Sequence, residues 1–276
     1  MAYVPASLTA PDAPATGGRV GRALLSRSVV APIGAVIVFL IVWEAIVWVN
    51  DWPTYVMAAP SDLPAAYARF WNLFLIMGWQ TLWRTVVGLV LAIVVGVAIG
   101  MVMGFSRTMR DALYPLLVGF NAIPKATVVP IVALLFVGRH DFNTILIAFM
   151  ISFFPIAVSV SIGLSTLEPE YRDILRSLGA SQSTIFWKIA LPKTLPEFFG
   201  ALKVAVTLAF IGTNLMEIVS PHGRGLGALF DSGKTNSDYP LMFAVLIALA
   251  FLGIILYYVV VVLEKIFAGW AERSPG

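Results

Sequence analysis

Six long stretches of this chain are apolar and almost free of charge, and that pattern limits its fold more than any other feature. They cover approximately residues 32–49, 85–103, 115–137, 144–164, 195–219 and 241–263. A helix needs about 20 mostly apolar residues to cross the hydrocarbon core of a bilayer. Backbone amides and carbonyls find no water at that depth, so each stretch must satisfy its own hydrogen bonds as a helix. Charged residues make up 12% of the 276, about half of what a soluble domain uses to cover its surface. The expectation is an all-α membrane protein with about six transmembrane helices.

Residues 1–31 are rich in Ala, Pro, Gly and Ser and read as a flexible N-terminal tail. The first apolar stretch has a long leader and no small-residue cleavage site directly after it, so it is expected to be retained as a span. Orientation follows the basic residues, which accumulate on the cytoplasmic side. Arg19, Arg22, Arg27, Arg107, Arg110, Arg172, Arg176, Lys188, Lys193, Lys265 and Arg273 fall in one alternate set of connections. Arg69, Arg84, Arg139, Arg224 and Lys234 fall in the other. Both termini are therefore expected in the cytoplasm. The membrane domain occupies residues 32–264, with a cytoplasmic loop at 165–193 and a C-terminal tail at 265–276. The net charge of +3 is too small to argue for nucleic acid, and the absence of cysteine excludes thiol chemistry and Cys-ligated metal.

Within the second stretch, Gly96, Gly100 and Gly104 form two successive G-x-x-x-G steps, preceded by Gly88. Small residues on one face let helix backbones approach closely, here in packing within the chain in preference to a dimer contact. Pro124, Pro130 and Pro155 should kink or break the third and fourth spans. Irregular backbone at membrane depth is tolerated only against protein or a wet cavity, so these spans are expected to line the interior.

The connection at 165–193 is far longer than a turn needs, and it is patterned. Residues 171–178 and 183–189 have helical character, interrupted by Gly179-Ala180-Ser181. Ile174, Leu175 and Leu178 form an apolar face with Arg172, Asp173 and Arg176 outside it. Ser181 is a candidate N-cap for the second helix, which Leu191-Pro192 should end. Two short helices joined at a glycine suit docking onto a cytoplasmic partner.

Asp173-Ile174-Leu175, three residues, Gly179, nine residues and Ile189-Ala190-Leu191-Pro192 resemble the E-A-A-x3-G-x9-I-x-L-P loop of bacterial ABC-importer permeases. Asp-Ile-Leu stands where the family has Glu-Ala-Ala. The resemblance extends over residues 40–270. Ala59-Pro60-Ser61-Asp62 is similar to a Leu-Pro-Ser-Pro stretch of the nitrate/sulfonate/taurine-type group. Thr81-Leu82-Trp83-Arg84 with Gly88 resembles its Thr-Leu-x-Arg-x-x-x-Gly, and Glu217 with Gly225-Leu226-Gly227 resembles its Glu and Gly-Leu-Gly pair.

What the resemblance implies is a type I ABC-importer transmembrane domain in a bacterial cytoplasmic membrane. Two permease copies, commonly identical, would form the pathway, with a substrate-binding protein above and two ATPase subunits below. ATP and Mg2+ would be bound by those ATPases, and this chain would hold no cofactor or metal. The coupling surface would comprise Asp173, Ile174, Leu175, Gly179, Ala180, Ser181, Ile189, Leu191 and Pro192. The solute would be small, and of a kind often organic and anionic or an oxyanion.

Ionisable groups in spans are costly and each is a functional candidate. Asn121, Pro124 and Lys125 lie where the third span should break, and Asn214 and Glu217 near the end of the fifth. Lys125 has two readings: an anion contact in the pathway, or a structural role pairing with Glu217 or capping carbonyls at the kink. Lys203 is expected to reach the cytoplasmic interface, and Glu44 an interface or a structural pair. The nucleotide-binding-like run from Ala228 to Thr235 is discounted, because a phosphate loop needs a strand before it. His140 and His222 read as solvated loop residues. No nucleophile–base constellation is legible, so the chain is expected not to be an enzyme. The alternative is a secondary transporter or channel driven by an ion gradient, which would leave the patterned loop without a role.

Overall fold

The computed structural model describes residues 27–165, 174–220 and 223–270, and every regular element among them is helical. The chain divides after Ser61. The first unit contains α1 (Arg27–Val49), an apolar helix of 23 residues. In it the Glu44 carboxylate accepts from the Ser61 N–H at 3.1 Å and from the Ser61 hydroxyl at 2.8 Å. This is the structural pair, made locally.

The second unit begins with α2 (Leu63–Phe105), a helix of 43 residues that contains one non-helical residue, Phe70. The span expected at 85–103 is only its C-terminal part. Pro64 sits in the first turn, where its missing N–H costs nothing, and no further proline interrupts the run. α3 (Arg107–Ala122) and α4 (Lys125–Leu135) follow, then α5 (His140–Ser165). After a helical turn at 174–177 come α6 (Gln182–Ile185), a π-turn over Phe186–Ala190, and α7 (Leu191–Val219). α8 (Leu226–Thr235) and α9 (Tyr239–Phe267) complete the described fold.

α2 and α5 pack in parallel along a ridge of small residues. A Cβ on Gly88 would lie 2.6 Å from the Ala148 Cβ, one on Gly100 would lie 2.7 Å from the Ala157 carbonyl oxygen, and one on Gly104 would lie 2.7 Å from the Leu164 Cβ. The G-x-x-x-G steps thus serve packing inside the chain. Parallel packing also dictates what lies between. α2 ends at Phe105 beside Phe186, whereas α5 begins at the opposite end of the bundle, so α3 and α4 together must carry the chain back. They do so with an 83° bend, within the segment 115–137 that the sequence reads as a kinked or broken span.

The bend lies at Pro124, as expected, but Pro130 and Pro155 lie inside unbroken helices. Packing of α5 against α2 and α7 outweighs the roughly 3 kcal/mol that a mid-helix proline costs. Among the described residues four helical stretches are long and apolar enough to cross a membrane, and the bent pair makes five. The fully described part of α1, Gly34–Val49, is shorter. The core joins α2, α5, α7 and α9 through Ala92, Ile156, Phe199, Ala205 and Leu256. Lys203 is paired with Glu264 at 2.6 Å. The run Ala228–Thr235 belongs to α8, with Gly233 packed against Met242, so it forms no phosphate loop.

Candidate functional site

The patterned connection is built by two caps. The turn at 174–177 ends in a Schellman motif: the Ala180 N–H donates to the Leu175 carbonyl at 3.0 Å, and the Gly179 N–H to that of Arg176 at 2.9 Å. Gly179 has φ +82°, a conformation that glycine adopts without steric cost. Two residues on, the Ser181 hydroxyl accepts from the Thr184 N–H at 3.1 Å and starts α6, the N-cap that its position predicts.

Burial divides the expected apolar face. Leu175 turns inward with Ala180, Phe186 and Ile189 to pack on the core, while Ile174 and Leu178 stay 57% and 78% exposed and Trp187 63%. Leu191-Pro192 does not end the second helix. The Leu191 N–H reaches back to the Phe186 carbonyl, slipping the ladder by one residue just before the proline, and the helix runs on into α7. Asp173 lies outside the described residues, as does His222.

Membrane-depth candidates fall into separate groups. At the α3–α4 bend the Lys125 ammonium donates to the carbonyls of Phe120 at 2.7 Å and of Asn121 and Ile123 at 3.1 Å. It also lies 4.9 Å from the Phe120 ring centre. Lys125 therefore caps the broken helix, and its pairing with Glu217 is not formed. Asn121 and Pro124 belong to the same bend. Asn214 donates to the Phe210 carbonyl on its own helix at 2.8 Å.

Glu217 belongs to a cluster with Arg84, a residue that the charge distribution places in a loop. Arg84 is only 2% exposed and Glu217 1%. Arg84 Nη1 lies 3.2 Å from Glu217 Oε1, Nη2 lies 2.6 Å from Asp141 Oδ1, and Nη1 also donates to the Arg224 carbonyl. The Thr81 hydroxyl donates to Glu217 Oε2 at 2.8 Å and accepts from the Leu226 N–H at 2.8 Å. The Gly227 N–H donates to the same carboxylate at 3.0 Å. Buried charge-assisted bonds tie α2, α7 and the start of α8 here, and the more exposed Asp141 adds α5. Gly225, at φ +127°, is indispensable because a Cβ there would fall on the Glu217 carboxylate. The two motifs, Thr81…Arg84 and Glu217…Gly225-Leu226-Gly227, were legible separately; only the fold puts them in contact.

His140 is not a solvated loop residue either. It opens α5, and its Nδ1 lies 2.7 Å from the Ser220 hydroxyl.

Residues 88–270 match the family described as "Binding-protein-dependent transport system inner membrane component". The riboflavin transport system permease protein RibX of Chloroflexus aurantiacus is 33% identical, over 84% of this chain and 86% of its own length. The formylaminopyrimidine transport permease protein ThiX of Halalkalibacterium halodurans is 32% identical, over 59% of this chain and 64% of its own length. The taurine transport system permease protein TauC of Escherichia coli is 26% identical, over 75% and 78%. Among solved structures, a chain of the MetNI methionine ABC transporter, in inward-facing conformations, superposes with a TM-score of 0.60. The identity there is 18%, over 72% of this chain and 98% of that one, so that likeness speaks for the fold, a type I importer transmembrane domain.

Proposed function

This chain belongs to the family of binding-protein-dependent transport system inner membrane components, and from that premise we propose that it couples ATP hydrolysis on partner subunits to uptake of a small solute. Two copies form the pathway in a bacterial cytoplasmic membrane, a binding protein delivers the solute, and two ATPases bind ATP and Mg2+. The end of the bundle bearing Gly179 faces the cytoplasm, in keeping with the basic residues around it. Relatives are named for solutes as different as taurine and riboflavin, which fits selection by the binding protein. Lys125 was the feature that pointed to an anion, and its ammonium is engaged by three carbonyls. An anionic solute therefore draws no support from it.

The observation that carries the coupling is the construction of the connection around Gly179. Caps on both sides and inward packing of Leu175 and Ile189 hold it firm, while Ile174, Leu178 and Trp187 face outward. A docking surface transmits force only if it is stiff and exposes apolar anchors that a partner can bury. Such a surface provides a coupling free energy between the ATPases and the distant pathway.

Gly179→Asp tests this. A side chain at Gly179 meets no neighbour and the strain of its φ of +82° falls on the cap alone, so the substitution perturbs the docking surface and leaves the bundle intact. The variant should insert and purify normally with loss of substrate-stimulated ATPase activity in the reconstituted complex. Stimulation at the level of the unmodified complex would refute the docking role.

A further inference from the structure

At the end of the bundle opposite Gly179, two corners of the chain lie side by side. The corner between α4 and α5 carries Arg139, and the corner between α7 and α8 carries Arg224. They are joined twice. His140 Nδ1 lies 2.7 Å from the Ser220 hydroxyl. Arg84 holds Asp141 through Nε at 2.8 Å and Nη2 at 2.6 Å, and its Nη1 donates to the Arg224 carbonyl. Both corners are thereby fastened to the buried cluster, and their backbones form one rigid frame. Arg139 and Arg224 are both exposed on it. The carboxylates of the cluster are already matched, because Asp141 and Glu217 both lie against Arg84. Neither Arg139 nor Arg224 meets a carboxylate among the described residues, whereas the exposed Arg69 at this end lies 3.7 Å from Asp238. Three arginines against two carboxylates leave the joined corners positive.

We propose that Arg139 and Arg224 form a two-point docking contact for a soluble protein that presents a pair of carboxylates, the binding protein of the complex. The proposal rests on the permease reading, which supplies that partner and sets this end of the bundle outside. Exposed ion pairs are individually weak, so a free anion gains little from either arginine in water. A docked protein engages both at once and shields them from solvent, and the opposite charges steer its approach. The frame lowers the cost of docking, because the two cations are carried on backbone that is already fixed. Contact there also reaches the interior. Asp141 and the Arg224 carbonyl both end on Arg84, the side chain that ties α2 to α7 through Glu217.

The test uses permease–ATPase complexes in lipid nanodiscs, titrated with the solute-loaded binding protein that stimulates their ATPase activity. The unmodified complex should need severalfold more binding protein for half-maximal stimulation as salt rises from about 50 to about 500 mM, because screening removes the attraction. Reversing both charges, Arg139→Glu with Arg224→Glu, should raise that concentration about tenfold at low salt and remove the weakening by salt. Full stimulation should still be reached at saturating binding protein. Arg139→Lys with Arg224→Lys keeps the charge and should stay within about threefold of the unmodified chain. Where the Glu pair fails to assemble, Arg139→Gln with Arg224→Gln decides in its place. An unmoved half-maximal concentration in the Glu or Gln pair, or a Lys pair as weak as the Glu pair, would overturn the proposal. So would a raised KM for solute with an unmoved half-maximal binding-protein concentration, which would give the arginines to the solute. Stimulation with an unmoved half-point removes this proposal alone; no stimulation of the unmodified complex at any concentration removes the permease reading and the proposal with it.

Discussion

Glu217→Gln probes the buried cluster at almost constant volume. The carboxylate accepts from Thr81, the Gly227 N–H and Arg84 at 2.8–3.2 Å. A carboxamide has one acceptor oxygen, so in either orientation its NH2 faces a donor. Truncating a buried ion pair costs about 3–5 kcal/mol. Arg84 keeps Asp141, which places the expected loss near the lower bound, at about 3 kcal/mol. Arg84→Met should cost as much alone, and the double variant should recover about 2 kcal/mol as coupling. Gly225→Ala should destabilise even in the Glu217→Gln background, because its Cβ meets a side chain of the same volume and its φ of +127° remains strained. The assay is reversible unfolding of the purified chain in mixed micelles, with proteolysis within α8 as a local probe. Losses for Glu217→Gln and Arg84→Met that add within about 0.5 kcal/mol would refute the claim that these groups act as one unit.

Gly100→Leu should destabilise by at least the 1–3 kcal/mol of an overpacked core, because the Ala157 carbonyl and Val160 occupy its space; unchanged unfolding would mean that α2 and α5 do not pack there. Gly179→Ala should cost about 1–2 kcal/mol through its left-handed backbone, seen as faster amide exchange across 174–185, and Gly179→Asn should cost less. Lys125→Met should uncap the α3–α4 bend. In a chain without native cysteine, Ile123→Cys makes this measurable as severalfold faster thiol labelling, and an unchanged rate would count against the capping role.

The all-helical membrane class was legible because hydropathy is a local property, summed over one helix length. The caps were legible for the same reason: Ser181 lies three residues from the amide that it caps, and Gly179 ends the turn directly before it. The small-residue steps in α2 showed a packing face, although not which helix would fill it.

Other outcomes depended on residues that meet only through the fold. Arg84 looks like one more loop charge, and Glu217 like a pathway candidate, until α2 and α7 bring them together across 133 positions of chain. Lys125 has two readings from sequence, and only the α3–α4 bend shows three carbonyls turned towards its ammonium. The corners that carry Arg139 and Arg224 are joined only once the fold sets His140 against Ser220. Periodicity, capping and burial tendency are written residue by residue along a chain; the pairing of desolvated polar groups is a property of three-dimensional neighbours, and only tertiary structure decides it.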